Sequence, residues 1–267
     1  MLVSESRLDS CATPHAMRGD SRLQKLRVRL DQLVVDRGLA PSRERARALI
    51  LAGQVLVDGH AETKAGTQVD SAASLGLIAP DHPYVGRGGV KLAHALDTFH
   101  INVDGREALD IGASTGGFTD VLLKRGAMRV VALDVGHGQI DWTLRNDPRV
   151  VVIEHFNARH LQPSDLPGGA VDIVTIDVSF ISLRQILPVV PPLIRPQGDV
   201  VALVKPQFEA GRGEIRKGVI RDAAVHARVV DEVSAVAREV GLTPVASTTS
   251  PITGAKGNVE FLLHLRS

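Results

Sequence analysis

The stretch Ala108-Leu109-Asp110-Ile111-Gly112-Ala113-Ser114-Thr115-Gly116-Gly117-Phe118-Thr119 carries an apolar run into a glycine-rich turn and then into a helical pattern. Small residues in such a turn let a ligand approach the backbone closely, so the segment reads as strand, binding loop and helix in succession. A glycine-rich turn alone is a weak signal. It is strengthened by Asp134, which closes the next apolar run, Val130-Val131-Ala132-Leu133, about 20 residues further on. A carboxylate at the end of that second strand can accept hydrogen bonds from both hydroxyls of a ribose. Gly112, Ala113, Ser114, Gly116, Gly117, Phe118 and Asp134 are therefore candidate contacts of a cofactor that contains adenosine.

Further β-rich apolar runs follow at Val150 to Ile153, Asp172 to Val178, Val200 to Val204, Val245 to Thr248 and Phe261 to Leu265, alternating with helical patterns. Such alternation predicts an α/β fold with a largely parallel sheet and helices on both faces. Composition agrees: with one Trp, one Tyr and six Phe, the cores must rest on Val, Leu, Ile and Ala. Two runs end in polar groups, Thr175-Ile176-Asp177-Val178-Ser179-Phe180 and Leu203-Val204-Lys205-Pro206-Gln207-Phe208. The carboxyl ends of parallel strands face the ligand crevice, so Asp177 and Lys205 are expected to point there. A structural ion pair is the alternative, because burying either charge alone is costly.

Upstream, residues 1–24 show no sustained apolar period and are expected to be disordered or extended, with Met17 as a candidate start. Residues 25–79 form a compact pattern. Leu30, Leu33 and Val34 lie at helical spacing before Gly38, and Pro41-Ser42 opens a second helix with Ala46, Leu49 and Ile50 on one face. Gly53 ends that helix, and Gln54 to Gly59 reads as a short strand with a turn. Residues 18–54 hold nine Lys or Arg against four Asp or Glu, a local basic charge that suits an anionic polymer or a plain solvated surface. The Pro/Gly-rich segment 80–90 is a linker candidate.

The run RLDQLVVDRGLAPSRERARALILAGQVLVDG, starting at Arg29, resembles the S4-type RNA-binding domain. Arg43 and Arg47 lie one helical turn apart, on a face other than the apolar one, where cations can meet phosphate without opening the core. The resemblance implies backbone contacts to RNA from Arg27, Arg29, Arg43, Arg47 and Lys64, and Arg87 joins them as a candidate. Phosphate contacts carry no sequence information, so this domain is not expected to identify the target nucleotide.

Two cofactors suit the glycine turn and Asp134, a dinucleotide and S-adenosylmethionine. The dinucleotide fingerprint wants Gly-x-Gly-x-x-Gly, whereas the second glycine here, Gly116, stands four positions after Gly112. DIGASTGGFT is similar to the first motif of class I methyltransferases, and Asn157 stands where that family often binds adenine, a loop cap being the alternative. Lys91 in RGGVKL and Glu260 in GNVEF join Asp177 and Lys205 in a set that resembles the Lys-Asp-Lys-Glu tetrad of FtsJ-type RNA 2′-O-methyltransferases. With DVSFISL and VKPQFE, the chain resembles the TlyA family over roughly residues 27–266. That resemblance implies an FtsJ-like, S-adenosylmethionine-dependent domain over 91–267 with a seven-stranded, mostly parallel sheet, preceded by a small S4-type α+β module. It also implies ribosomal RNA or ribosomal subunits as partners and cytidine 2′-O-methylation as the reaction.

The chemistry calls for such groups. A ribose hydroxyl must lose its proton as it attacks the sulfonium methyl, yet a lysine at its reference pKa of roughly 10.4 is neutral less than about 0.1% of the time at pH 7. A second cation and desolvation would lower the Lys205 pKa, while Asp177 and Glu260 would raise it and fix its position. The expected roles are Lys205 as base or polariser, Asp177 as its orienting partner, and Lys91 and Glu260 as setters of local charge.

Three other readings compete: a noncatalytic RNA-binding or ribosome-assembly factor, a haemolysin, and a nicotinamide-dependent oxidoreductase. The lone Cys11, the absence of a signal peptide or apolar span, and the lack of zinc-ligand spacing predict a cytoplasmic protein that needs neither membrane nor metal. His137, His155, His160 and His226 read as surface or capping groups, and Trp142 as packing.

Overall fold

The computed structural model describes residues 26–40, 42–78, 82–215 and 218–267. The chain divides into two compact units, residues 1–80 and 81–267. The extension expected at residues 1–24, with Met17, lies outside the described residues.

In the first unit, β1 (Arg27–Arg29) runs directly into α1 (Leu30–Asp36), and α2 (Arg43–Leu51) follows. Ser42 caps α2, its hydroxyl accepting the Arg45 N–H at 3.2 Å. The two helices bury Leu30, Leu33, Val34, Ala46 and Ile50, the stripe that makes each of them amphipathic. Next come β2 (Val55–Val57), β3 (His60–Glu62), β4 (Gln68–Asp70) and β5 (Leu75–Leu77). Two small antiparallel sheets result, β3-β2-β5 and β1-β4. Of these strands the sequence reading placed only the one at Val55, because three-residue strands are too short to display an alternating pattern.

The second unit contains α3 (Gly88–Thr98), β6 (Glu107–Ile111), α4 (Gly117–Lys124), β7 (Arg129–Leu133), α5 (Trp142–Arg145), β8 (Val150–Ile153) and β9 (Val171–Ile176). It continues with β10 (Ile194–Val204), α6 (Pro206–Glu209), α7 (Ala223–Glu239), β11 (Thr243–Thr249) and β12 (Phe261–Arg266). The seven strands are ordered β11-β12-β10-β9-β6-β7-β8, and β12 is antiparallel to both of its neighbours. The pairings from β10 through β9, β6 and β7 to β8 are all parallel.

Alternate strand residues feed two cores. Leu109, Ile111, Val131, Leu133, Val174 and Ile176 pack on the side of α7. Ala108, Val130, Ala132, Ile173, Val201 and Leu203 pack on the side of α3 and α4. Burial on both faces is why these strands read as continuous apolar runs.

Two local departures have covalent causes. Between β9 and β10 the chain makes three short 3-10 turns, Leu183–Gln185, Leu187–Val189 and Pro191–Leu193, in place of a full helix. Pro188, Pro191 and Pro192 remove backbone donors there. Strand β10 starts at Ile194, six residues before its expected start, and its pairing with β9 is interrupted between Ile194 and Asp199, where Gln197 takes φ 61°. The polar insertion hid the first half of the strand.

Of the segment read as a linker, residues 82–90 belong to the second unit. The Val85 N–H donates to Asp120 Oδ2 at 2.9 Å, the Lys124 ammonium stands 5.4 Å from the Tyr84 ring centre, and α3 begins at Gly88. Among the described residues, no helix is long and apolar enough to cross a membrane, and no group of three or more His, Cys, Asp or Glu is placed to hold a metal ion.

Candidate active site and cofactor cleft

The turn after β6 can form only because two of its residues lack side chains. Gly112 (φ 86°) and Gly116 (φ 93°) take left-handed conformations, and a Cβ on them would fall 2.5 Å from the Asp177 carbonyl oxygen and 2.3 Å from Leu144 Cδ1 respectively. The backbone thereby opens a cavity of about 140 Å³ lined by Gly88, Gly112, Ala113, Ser114, Thr115, Gly117, Phe118 and Asp177. Phe118 is 98% buried, forming the floor from the core side. At the end of β7, Asp134 accepts the Ser114 N–H at 2.8 Å on one oxygen and the Gly136 N–H at 2.7 Å on the other. Both oxygens are thus held in fixed directions with further lone pairs to spare. Asn157 caps a 3-10 turn, its Oδ1 accepting the Arg159 N–H at 3.1 Å, which leaves its amide group as the part able to meet a ligand.

The structure brings the four expected polar residues to one end of the sheet. Asp177 follows β9 and donates its N–H to Ile111 at 2.9 Å, Lys205 follows β10, and Glu260 immediately precedes β12, where Phe261 pairs with Val204. Lys205 Nζ stands 2.6 Å from Asp177 Oδ1, and Lys91 Nζ donates to Glu260 Oε2 at 2.5 Å. Lys91, Lys205 and Glu260 are buried. The Lys205–Asp177 contact is one of charge, since Oδ1 accepts no directed hydrogen bond. Lys205 instead donates to Ser179 Oγ at 2.8 Å. Ser179 was not singled out from the sequence, although it lies in the same DVSF run as Asp177.

Three further residues around the site were also missed. Glu209, at the end of α6, accepts the Ser182 hydroxyl at 2.5 Å and the Leu183 N–H at 2.7 Å, tying the segment after β9 to the segment after β10; its burial raises its pKa. Ser182 and Glu209 lie in the DVSFISL and VKPQFE runs, so the contact joins the two. Phe180 is 90% exposed and adopts φ 64°, a strained backbone for a bulky residue, with its ring 5.2 Å from that of Phe208.

Asp110, fully buried beneath the turn, accepts the hydroxyls of Thr119 at 2.7 Å and Thr175 at 2.9 Å. Burial pushes its carboxyl up to about 7 from an ordinary 3.8, against those two hydrogen bonds. Between about pH 4 and 7 the folded protein therefore keeps a proton that the unfolded chain has released, and this group's contribution to stability falls as pH rises through that window. The loss amounts to on the order of 4 kcal/mol at most. Asp110→Asn is expected to flatten the decline measured by chemical denaturation between about pH 4 and 7; an unchanged decline would assign it to other groups.

Two expectations about aromatic and imidazole groups are corrected. Trp142 is 68% exposed, because α5 begins at Trp142 and turns Leu144 inward instead. His226 is buried, its Nε2 3.2 Å from the Ile220 carbonyl oxygen and its ring edge-on to Phe261. His137 and His155 stack on each other with ring centres 4.6 Å apart at the surface.

In the first unit, Arg29, Arg43 and Arg47 converge on Asp31, whose side chain is fully buried. Arg27 and Lys64 are exposed on the same unit, and in the second unit Arg87 donates to the Thr253 carbonyl at 3.0 Å.

Residues 84–267 match the family described as FtsJ-like methyltransferase, and residues 28–73 match the S4 domain. The chain is 49% identical over 243 residues to the 16S/23S rRNA (cytidine-2′-O)-methyltransferase TlyA of Mycobacterium tuberculosis, covering 90% of each chain. It is 42% identical to Hemolysin A of Brachyspira hyodysenteriae, over 89% of this chain and 99% of that one. A solved structure from Streptococcus thermophilus, described as a hemolysin candidate, superposes with a TM-score of 0.72 at 43% identity over 91% of this chain and 89% of that one. With a seven-stranded sheet carrying one antiparallel strand, a glycine turn after β6 and an S4 module ahead of it, the chain belongs to the FtsJ-like methyltransferases and, among them, to the TlyA family.

Proposed function

We propose that this chain transfers a methyl group from S-adenosylmethionine to the 2′-hydroxyl of a cytidine in ribosomal RNA. The observation that carries the reading is the pair of ion contacts, Lys205–Asp177 and Lys91–Glu260, at the end of the sheet where Asp177 lines the cavity under the glycine turn. The relatives named above supply the nucleoside and the class of RNA, and the S4 domain supplies a means of holding it.

The residues present fit S-adenosylmethionine. Asp134 offers two oriented acceptors for a ribose, and the small residues of the turn leave room for a chain to lie against the backbone. The carboxylate of Asp177 lines the same cavity, which favours a cationic sulfonium and disfavours the pyrophosphate of a dinucleotide. When bound, S-adenosylmethionine supplies an electrophilic methyl group. Gly112, Ser114, Phe118, Asp134 and Asn157 would hold it; Lys205 as the neutral amine would take the proton of the attacking hydroxyl and become the ammonium, or as the ammonium would only orient that hydroxyl, with Asp177 and Ser179 keeping Nζ in place. The buried Lys91–Glu260 pair sets the neighbouring charge without itself reaching the proton.

Phe180 and Phe208 provide the aromatic surface on which the target base stacks, the role for which a strained and exposed ring is suited. Phe180→Ala is expected to raise the KM for RNA about tenfold, given roughly 1–3 kcal/mol per stacked base, while cofactor affinity stays unchanged. An unaltered KM would remove the ring from substrate binding.

The function is tested by mapping 2′-O-methylated nucleotides in ribosomal RNA from cells with and without this gene. Loss of one or more methylated cytidines on deletion is the expected result. An identical modification map would sink the assignment.

A further inference from the structure

Asp31 is an acid at the centre of a basic face. Its side chain has no exposure, and its two oxygens accept from three arginines: Arg29 through Nε and Nη2, both at 3.0 Å, Arg43 through Nη2 at 3.1 Å, and Arg47 through Nε at 3.0 Å. The arginines come from β1 and from two successive turns of α2, while Asp31 sits in the first turn of α1 with its N–H on the Ala65 carbonyl. Their hydrogen bonds hold the Asp31 pKa well below the usual carboxylate range, Arg29 contributing most, so the acid stays charged at any physiological pH.

Charge matching alone does not explain the cluster. Three guanidiniums share one carboxylate, so positive charge is in excess. Each arginine side chain remains 44–53% exposed, with Arg43 and Arg47 each spending one N–H on Asp31 out of five. The unused donors of all three are fixed in direction and open to solvent. A free arginine side chain carries rotamer entropy, part of which it must lose on gripping a phosphate; here it is lost on folding.

We infer that Asp31 is a positioning residue that holds Arg29, Arg43 and Arg47 as one preorganised clamp for adjacent phosphates of an RNA backbone. The inference rests on the reading of this unit as RNA-binding, and it adds that a buried carboxylate strengthens the binding of a polyanion through the arrangement it imposes on the arginines, against its own repulsion. Asp31→Asn keeps the size of the side chain, removes one negative charge from the face, and so separates arrangement from charge.

The test measures binding of the full-length protein to an in vitro transcript of 23S ribosomal RNA across about 50–200 mM salt. Asp31→Asn is expected to bind about tenfold more weakly despite the loss of a negative charge, with a salt slope shallower by about 1, the share of one phosphate contact. A salt bridge that merely held the fold would lower thermal stability and leave that slope unchanged. The triple variant Arg29→Ala, Arg43→Ala, Arg47→Ala is measured alongside and is expected to lose most of the salt dependence. If the triple variant is weakened while Asp31→Asn binds as tightly as the parent or more tightly, the clamp is overturned and the RNA-binding reading stands. If the triple variant binds normally, the reading of this face fails as well. Should Asp31→Asn not fold, the exposed pair Arg43→Lys, Arg47→Lys decides: it preserves charge and removes the planar fork, so weakened binding supports the clamp and unchanged binding overturns it.

Discussion

Lys205→Ala is expected to reduce methyl transfer to ribosomal RNA by about 10²–10⁴-fold, the range for a lost general acid or base, while S-adenosylmethionine binding stays within a few-fold of normal. The asymmetry follows from position. Lys205 stands at the end of β10 against Asp177 and Ser179 and does not itself line the cavity, whose lining apart from Asp177 comes from the glycine turn, α3 and α4. Incorporation of labelled methyl groups reports the first quantity and calorimetric titration the second. A companion variant separates two roles of the lysine. Lys205→Arg keeps a cation beside Asp177, but a guanidinium cannot be deprotonated in a protein. If proton removal is the role, Lys205→Arg is as inactive as alanine. Substantial turnover by the arginine variant would limit residue 205 to orienting and polarising the hydroxyl, and full turnover by the alanine variant would remove it from the mechanism.

Glu260→Ala is expected to produce the largest loss of stability. It leaves the buried Lys91 ammonium without its partner, and breaking a buried ion pair from one side costs about 3–5 kcal/mol. For a unit of this size that corresponds to a fall in Tm of roughly 6 °C or more. Removing both charges behaves differently, because apolar replacements of similar volume incur no desolvation. Lys91→Met combined with Glu260→Leu is therefore expected to recover most of the lost stability and still fail to methylate RNA. The pair of results would show that the ion pair is retained for its charge and not for folding. Normal methylation by the double variant would end that account, and equal instability of single and double variants would show that packing, not charge, sets the cost.

The secondary structure and the candidate site were legible to different depths. The five parallel strands declared themselves because burial on both faces demands uninterrupted Val, Leu, Ile and Ala. The glycine turn was legible because its backbone tolerates nothing larger at Gly112 and Gly116. Asp177 and Lys205 were legible because a charge at the carboxyl end of an apolar run has few places to go in a parallel sheet. Trp142 was misread as packing, since a helical pattern four residues long has too few positions to define a buried face. Phe180 escaped notice because its exposure is set by a left-handed turn that local periodicity does not encode.

What the sequence by itself determined is the class of fold, the order of its elements and the identity of the polar groups that end the strands, since each depends on neighbours a few residues apart. Only the tertiary structure decided the pairing of Lys91 with Glu260 across 169 residues, the raised pKa of the buried Asp110 and the gathering of three arginines on Asp31. Those outcomes turn on desolvation and on distances between separate elements, and neither quantity exists until the chain has closed around them.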